Sequence, residues 1–150
     1  MFRIPAIFLT VAALVLIAGC PRSPESAAGF RLPDGDPAMG RSTFVEMQCY
    51  QCHTIKGEEF PVIPNTDPPY VLLGGKVTRV RTYGELVTSV INPSHKISPA
   101  YAEELVSTDG VSKMYIYNDI MTVTQLTDLV AYLQSQYDVV VPQGRYHVYP

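Results

Sequence analysis

The sequence predicts a small all-α domain, three to four helices joined by long loops, and three observations carry that expectation. Apolar residues recur at helical spacing in only a few segments of the 150-residue chain. Strand-like alternation is weak and confined to the final stretch, "DVVVPQGRYHVYP". The 13 prolines and 10 glycines fall largely between the helical segments, where they oppose regular structure. This length makes one modest domain, not two.

The chain begins with "MFRIPAIFLTVAALVLIAGC". Arg3 gives it a positive start, and residues 4–17 are almost wholly apolar. That run is short for a spanning helix, which needs about 20 residues, and it reads as an export signal over residues 1–19. "Ile17-Ala18-Gly19-Cys20" resembles the bacterial lipobox. The resemblance implies cleavage before Cys20 and a diacylglyceryl group on its sulfur; an uncleaved signal anchor is the rival reading. Residues 20–35, rich in Pro, Ser, Ala and Gly, read as the lipidated cysteine and a flexible tether. Its last 15 residues would span roughly 20 Å as a coil. Phe30 and Leu32 are the residues that would pin it to the domain at 36–150. The expected location is extracytoplasmic, on a bacterial membrane. With 11 basic against 14 acidic side chains and no basic cluster, nucleic-acid binding is excluded as a class.

Each helix has local signals. Asp36 is placed to cap the first, with Pro37 in its first turn and Met39, Gly40, Phe44 and Met47 on one face. Residues 57–76 read as a long loop. In "TYGELVTSVINPS", Thr82 and Glu85 have capping-box spacing, and Pro93 ends the helix after Asn92. Its apolar positions are Leu86, Val87, Val90 and Ile91. Thr122 and Gln125 repeat the capping spacing before the last helix, whose stripe is Leu126, Leu129, Val130 and Leu133, with Tyr132 beside it. So few helices provide little core, and a large apolar cofactor would supply the deficit.

The chemistry lies in "EMQCYQCHTIKG", residues 46–57, where Cys49, Cys52 and His53 stand together. A structural zinc site needs four ligands, commonly two pairs, and no second pair exists. A thioredoxin-like dithiol needs a βαβ setting, and this motif follows a helix and precedes a proline loop. Cys-x-x-Cys-His also attaches haem: two thiols add to two vinyl groups and the next imidazole takes the iron. That reading asks for a sixth ligand. Met114, on a loop eight residues before the Thr122 cap, is the first candidate. His95 in "INPSHKI" is the serious rival. Met121 abuts the cap and reads as packing, and His147 as a solvated side chain.

"Gly40-Arg-Ser-Thr-Phe44", "Cys49-Tyr-Gln-Cys52-His53" and "Met114 … Leu126-Thr-Asp-Leu129-Val130-Ala131-Tyr132-Leu133" follow the order of the class I monohaem c-type cytochromes, which the chain resembles from about 37 to 135. The resemblance implies a cytochrome c-like fold wrapped around one covalent haem c, with Cys49 and Cys52 attaching it and His53 and Met114 as axial ligands. It implies a crossing of the first and last helices at Gly40 and Tyr132, and a carbonyl from Pro68 or Pro69 on the proximal imidazole. The family's methionine commonly precedes a proline; here Tyr115 follows Met114. Leu72, Leu73, Val90, Ile97 and Leu129 are candidate walls, Tyr70, Tyr115 and Tyr117 candidate lining residues, and Lys76, Arg79 and Arg81 candidate propionate partners. Lys96 and the segment 92–99 are a candidate docking rim. The implied function is a membrane-tethered electron carrier, not an enzyme, passing one electron between extracytoplasmic redox proteins or a respiratory or dehydrogenase complex. A haem subunit of a redox enzyme and a gas sensor with a labile Met114 are the alternatives.

Overall fold

The structure, a computed structural model, describes residue 30 and residues 32–64, 71–78 and 82–140. All but Phe30 belong to the unit Leu32–Pro150, and the account below concerns that unit. The predicted signal peptide 1–19, Cys20, Pro68, Pro69, Tyr70, Arg79, Arg81, His147 and the end of the tail lie outside the described residues, as does residues 21–29 of the tether.

Helix α1, Pro37–Glu46, starts where the sequence places it. The Asp36 carboxylate accepts the Ala38 N–H at 2.8 Å and the Met39 N–H at 3.4 Å, two of the donors a helix start leaves unpaired. α2, Tyr83–Ile91, and the last helix, α4, Val123–Ser135, each carry a complete capping box, from Thr82 with Glu85 and from Thr122 with Gln125. Each box contributes about 1 kcal/mol. Asn92 and Pro93 end α2, because the residue before proline avoids helical angles. A short helix α3, Glu103–Val106, lies between them.

α1 and α4 form the framework. A Cβ placed on Gly40 would lie 2.0 Å from the Asp128 carbonyl oxygen and 2.7 Å from the Tyr132 Cβ. Only glycine lets the two backbones approach this closely, so the expected crossing at Gly40 and Tyr132 is present. The Asp36 N–H adds a bond to the Asp128 carboxylate at 2.8 Å. Around the crossing, Phe44, Ile55, Leu86, Val87, Val90, Leu129, Val130, Tyr132 and Leu133 make one buried cluster. Two face residues behave differently from expectation: Met39 and Ile91 are exposed.

Among the described residues, the mostly helical unit also carries six very short strands. β1, His53–Ile55, pairs in parallel with β2, Val71–Leu73. β3, Gly75–Val77, pairs in parallel with β6, Tyr137–Val139, at the start of the weakly alternating tail. β4, Ser107–Thr108, and β5, Val111–Ser112, form a hairpin. Its turn, Asp109-Gly110, has positive φ at both residues, which Asp-Gly tolerates well. The expected unbroken loop at 57–76 is therefore corrected: β2 and β3 begin in it, at the apolar run Val71-Leu72-Leu73. Among the described residues, no helix is long and apolar enough to cross a membrane.

Candidate functional site

The cysteine motif is built where α1 stops. Met47 closes the helix, its N–H donating to the Thr43 carbonyl at 2.9 Å. Gln48 then takes a left-handed conformation, φ 55° and ψ 31°, and turns the chain. Outside glycine such a conformation costs about 1 kcal/mol or more, and strain of this kind gathers at functional positions. A single 3-10 turn over Cys49–Gln51 follows, with the Cys52 N–H donating to the Cys49 carbonyl at 3.2 Å. The turn runs from Cys49 to its cap at Cys52 and delivers His53 as the first residue of β1.

The two cysteines are not bonded to each other. Burial pushes the Cys49 thiol up to about 11, while Cys52 is exposed. A redox-active dithiol needs the opposite, a thiol whose pKa is depressed into the neutral range. Among the described residues, no three His, Cys, Asp or Glu side chains converge as metal ligands, so the motif is not arranged as a zinc tripod.

His53 is drawn in against β2. It pairs with Val71, whose N–H donates to the Cys52 carbonyl at 3.3 Å. Burial lowers the proton affinity of the ring, and the Val71 backbone opposes this more weakly. The imidazole is thus neutral near pH 7, the form that can ligate a metal. Its Nδ1 is covered by protein atoms and lies near the Val71 backbone, outside normal hydrogen-bond geometry; a ligating imidazole commonly turns its second ring nitrogen to a backbone group in this way.

The loop bearing Met114 reaches the same place from the far end of the chain. Met114 is half-buried, and its N–H donates to the Ser112 hydroxyl at 3.2 Å. Three residues on, the Tyr117 hydroxyl donates to the Met47 carbonyl at 2.8 Å. Burial first, and then the neighbouring Cys49 and Cys52 thiols, push that hydroxyl's pKa up. Tyr117, a candidate lining residue, has its hydroxyl on the carbonyl at the end of α1. Met121 lines an open groove with Val90, Ile91, Tyr117 and Val123 and packs on the buried cluster. His95 is exposed, its Nδ1 2.7 Å from the Asn92 carbonyl of its own turn, Pro93–His95. Sequence patterns gave no sign of the Tyr117 bond, whose partners are 70 residues apart.

A family model described as Cytochrome c matches residues 37–136. The chain belongs to the cytochrome c family. It is a haem-based electron-transfer protein, and its cofactor is covalently attached haem c. No curated protein and no solved structure matched the chain in the corresponding searches.

The local chemistry fits that cofactor. Two unbonded thiols followed at once by a neutral, half-buried imidazole are the donor set that haem c uses. Large apolar side chains flank them. Leu72, beside the His53–Val71 pair, is 54% exposed, and Tyr115 and Ile116, next to Met114, are 64% and 57% exposed. A flat apolar ring against these residues would remove that surface from water. Of the other candidate walls, Val90 and Leu129 are buried in the core and Leu73 and Ile97 are half-buried. Lys76 and Lys96 are exposed.

Proposed function

We propose that this cytochrome c is a membrane-tethered carrier outside the bacterial cytoplasm, holding one haem c through Cys49 and Cys52, with His53 and Met114 as axial ligands. The observation that supports it best is His53: a half-buried imidazole held neutral by its surroundings, directly after two free thiols. Haem c supplies one-electron iron chemistry when bound. Cys49 and Cys52 would hold it as thioethers. Each S–H adds across a vinyl double bond, sulfur to one carbon and hydrogen to the other, with no net oxidation. His53 would serve as the proximal ligand, and the soft thioether of Met114 would favour the ferrous state and raise the potential.

The remaining roles follow from this. The apolar residues around the motif exclude water and disfavour the extra charge of the ferric form. With both axial positions filled by protein, no substrate has a place to bind, which suits a carrier. The lipid expected on Cys20 and the residues to 35 would let the domain move above a membrane while attached, and the partners would be redox proteins or a respiratory or dehydrogenase complex.

Carbon monoxide added to the reduced protein tests the reading against a gas sensor. A carrier with Met114 firmly bound takes up carbon monoxide slowly and incompletely. Fast and complete uptake would contradict it.

A further inference from the structure

We propose that Tyr117 is a positioning residue: it latches the Met114 loop to the end of α1 beside Cys49 and thereby sets how readily an outside ligand displaces Met114 from the haem iron. The inference rests on the reading of Met114 as sixth ligand. Several bonds hold the loop: among the described residues, the Lys113 N–H donates to the Val106 carbonyl at 2.9 Å and the Lys113 ammonium to the Glu104 carbonyl, both in α3. The Ser112 N–H donates to the Ser94 hydroxyl at 3.1 Å, and the Asn118 side-chain amide donates to the Ile91 carbonyl at 2.9 Å. Both of these join the loop to α2 and the turn after it. The bond from Tyr117 to the Met47 carbonyl is the tie that reaches the cysteine side.

Two features make this tie more than incidental. The Met47 carbonyl is one of those a helix end leaves without an intrahelical donor, so the tyrosine satisfies a group that would otherwise be unpaired. The latch also stiffens the position beside the ligand. Tyr115, immediately after Met114, packs edge-on against Tyr117 with ring centroids 4.9 Å apart. Tyr115 does not fix its own φ as proline would. Its ring is held instead by a neighbour that is itself bonded to Met47. Releasing the hydroxyl frees the backbone on the C-terminal side of Met114, and the share of time Met114 spends off the iron rises.

An external ligand reads that share, because its apparent affinity scales with the open fraction. The measurement is imidazole binding to the oxidised, haem-loaded protein, alongside the long-wavelength thioether-to-iron band. Losing one hydrogen bond predicts about fivefold tighter imidazole binding in Tyr117→Phe, with the band still present without imidazole. Tyr132→Phe is the control. It removes a hydroxyl that is buried and has no hydrogen-bond partner, and imidazole binding should not change. Unchanged affinity in Tyr117→Phe, or an equal rise in Tyr132→Phe, overturns the latch. If Tyr117→Phe does not accumulate as folded protein, Tyr115→Leu decides. It keeps the hydroxyl bond and removes the ring contact, and a smaller rise in affinity is expected; no rise overturns the proposal. Met114→Ala separates the two readings. A band that survives Met114→Ala defeats the ligand assignment itself, whereas a band lost there with imidazole affinity unmoved in Tyr117→Phe defeats only the latch.

Discussion

Burial keeps the His53 ring neutral, because removing water penalises its charged form. Burial likewise keeps the Cys49 thiol protonated, with its pKa near 11. Both groups are therefore poor at acid–base or redox-dithiol work and suited to being held permanently by something else. Cys49, Cys52 and His53 were legible in the sequence because the motif is local, three side chains within five residues. Tyr117 was not, since a hydroxyl meeting a carbonyl across 70 residues leaves no periodic or compositional trace. His95 was eligible by residue type, and its Nδ1 on the Asn92 carbonyl leaves Nε2 as the nitrogen that would ligate, so it stays the rival sixth ligand. The test at this scale is Met114→Ala: the oxidised protein should lose the thioether-to-iron band completely. Persistence of the band would return Met121 to candidacy, and absence of any such band in the unaltered protein, with a spectrum altered by His95→Ala, would favour a pair of histidines.

Among the elements, the α1–α4 crossing organises the rest, since it fixes where α1 stops and so where the cysteine turn begins. Gly40→Ala opposes two effects. Alanine favours the helix by about 1 kcal/mol over glycine. Its Cβ, however, would meet the Asp128 carbonyl oxygen at 2.0 Å, and backbone cannot swing aside as a flexible side chain does. Overpacking of this kind costs about 3 kcal/mol, so the clash wins. Denaturant unfolding of the haem-loaded protein should show a net loss of about 2 kcal/mol; equal or greater stability would mean the helices do not touch there. α1, α2 and α4 were readable because their caps and stripes are strong local signals; the four-residue α3, without a side-chain cap or a buried residue, was not. The strands were not, because two or three residues are too few to show a period. The β4–β5 hairpin did carry a usable sign, Asp109-Gly110, whose preference for positive φ marks a two-residue turn. For β1 and β2, nothing local foretells a parallel pairing between His53 and Val71.

For the whole molecule, nine apolar side chains among the described residues make the buried cluster, while Leu72, beside the His53–Val71 pair, and Tyr115 and Ile116, next to Met114, stay exposed. A domain so short of self-made core depends on its cofactor to bury the remainder. The tether is argued at this scale too. Cys20→Ala should move the protein from the membrane to the soluble fraction after cell disruption. Continued membrane association would point to an uncleaved anchor at residues 1–19. The central claim is the covalent haem, and acid-acetone extraction tests it most directly. Two thioethers at Cys49 and Cys52 predict that all the pigment stays with the polypeptide. A colourless protein pellet with haem in the organic phase would contradict the account.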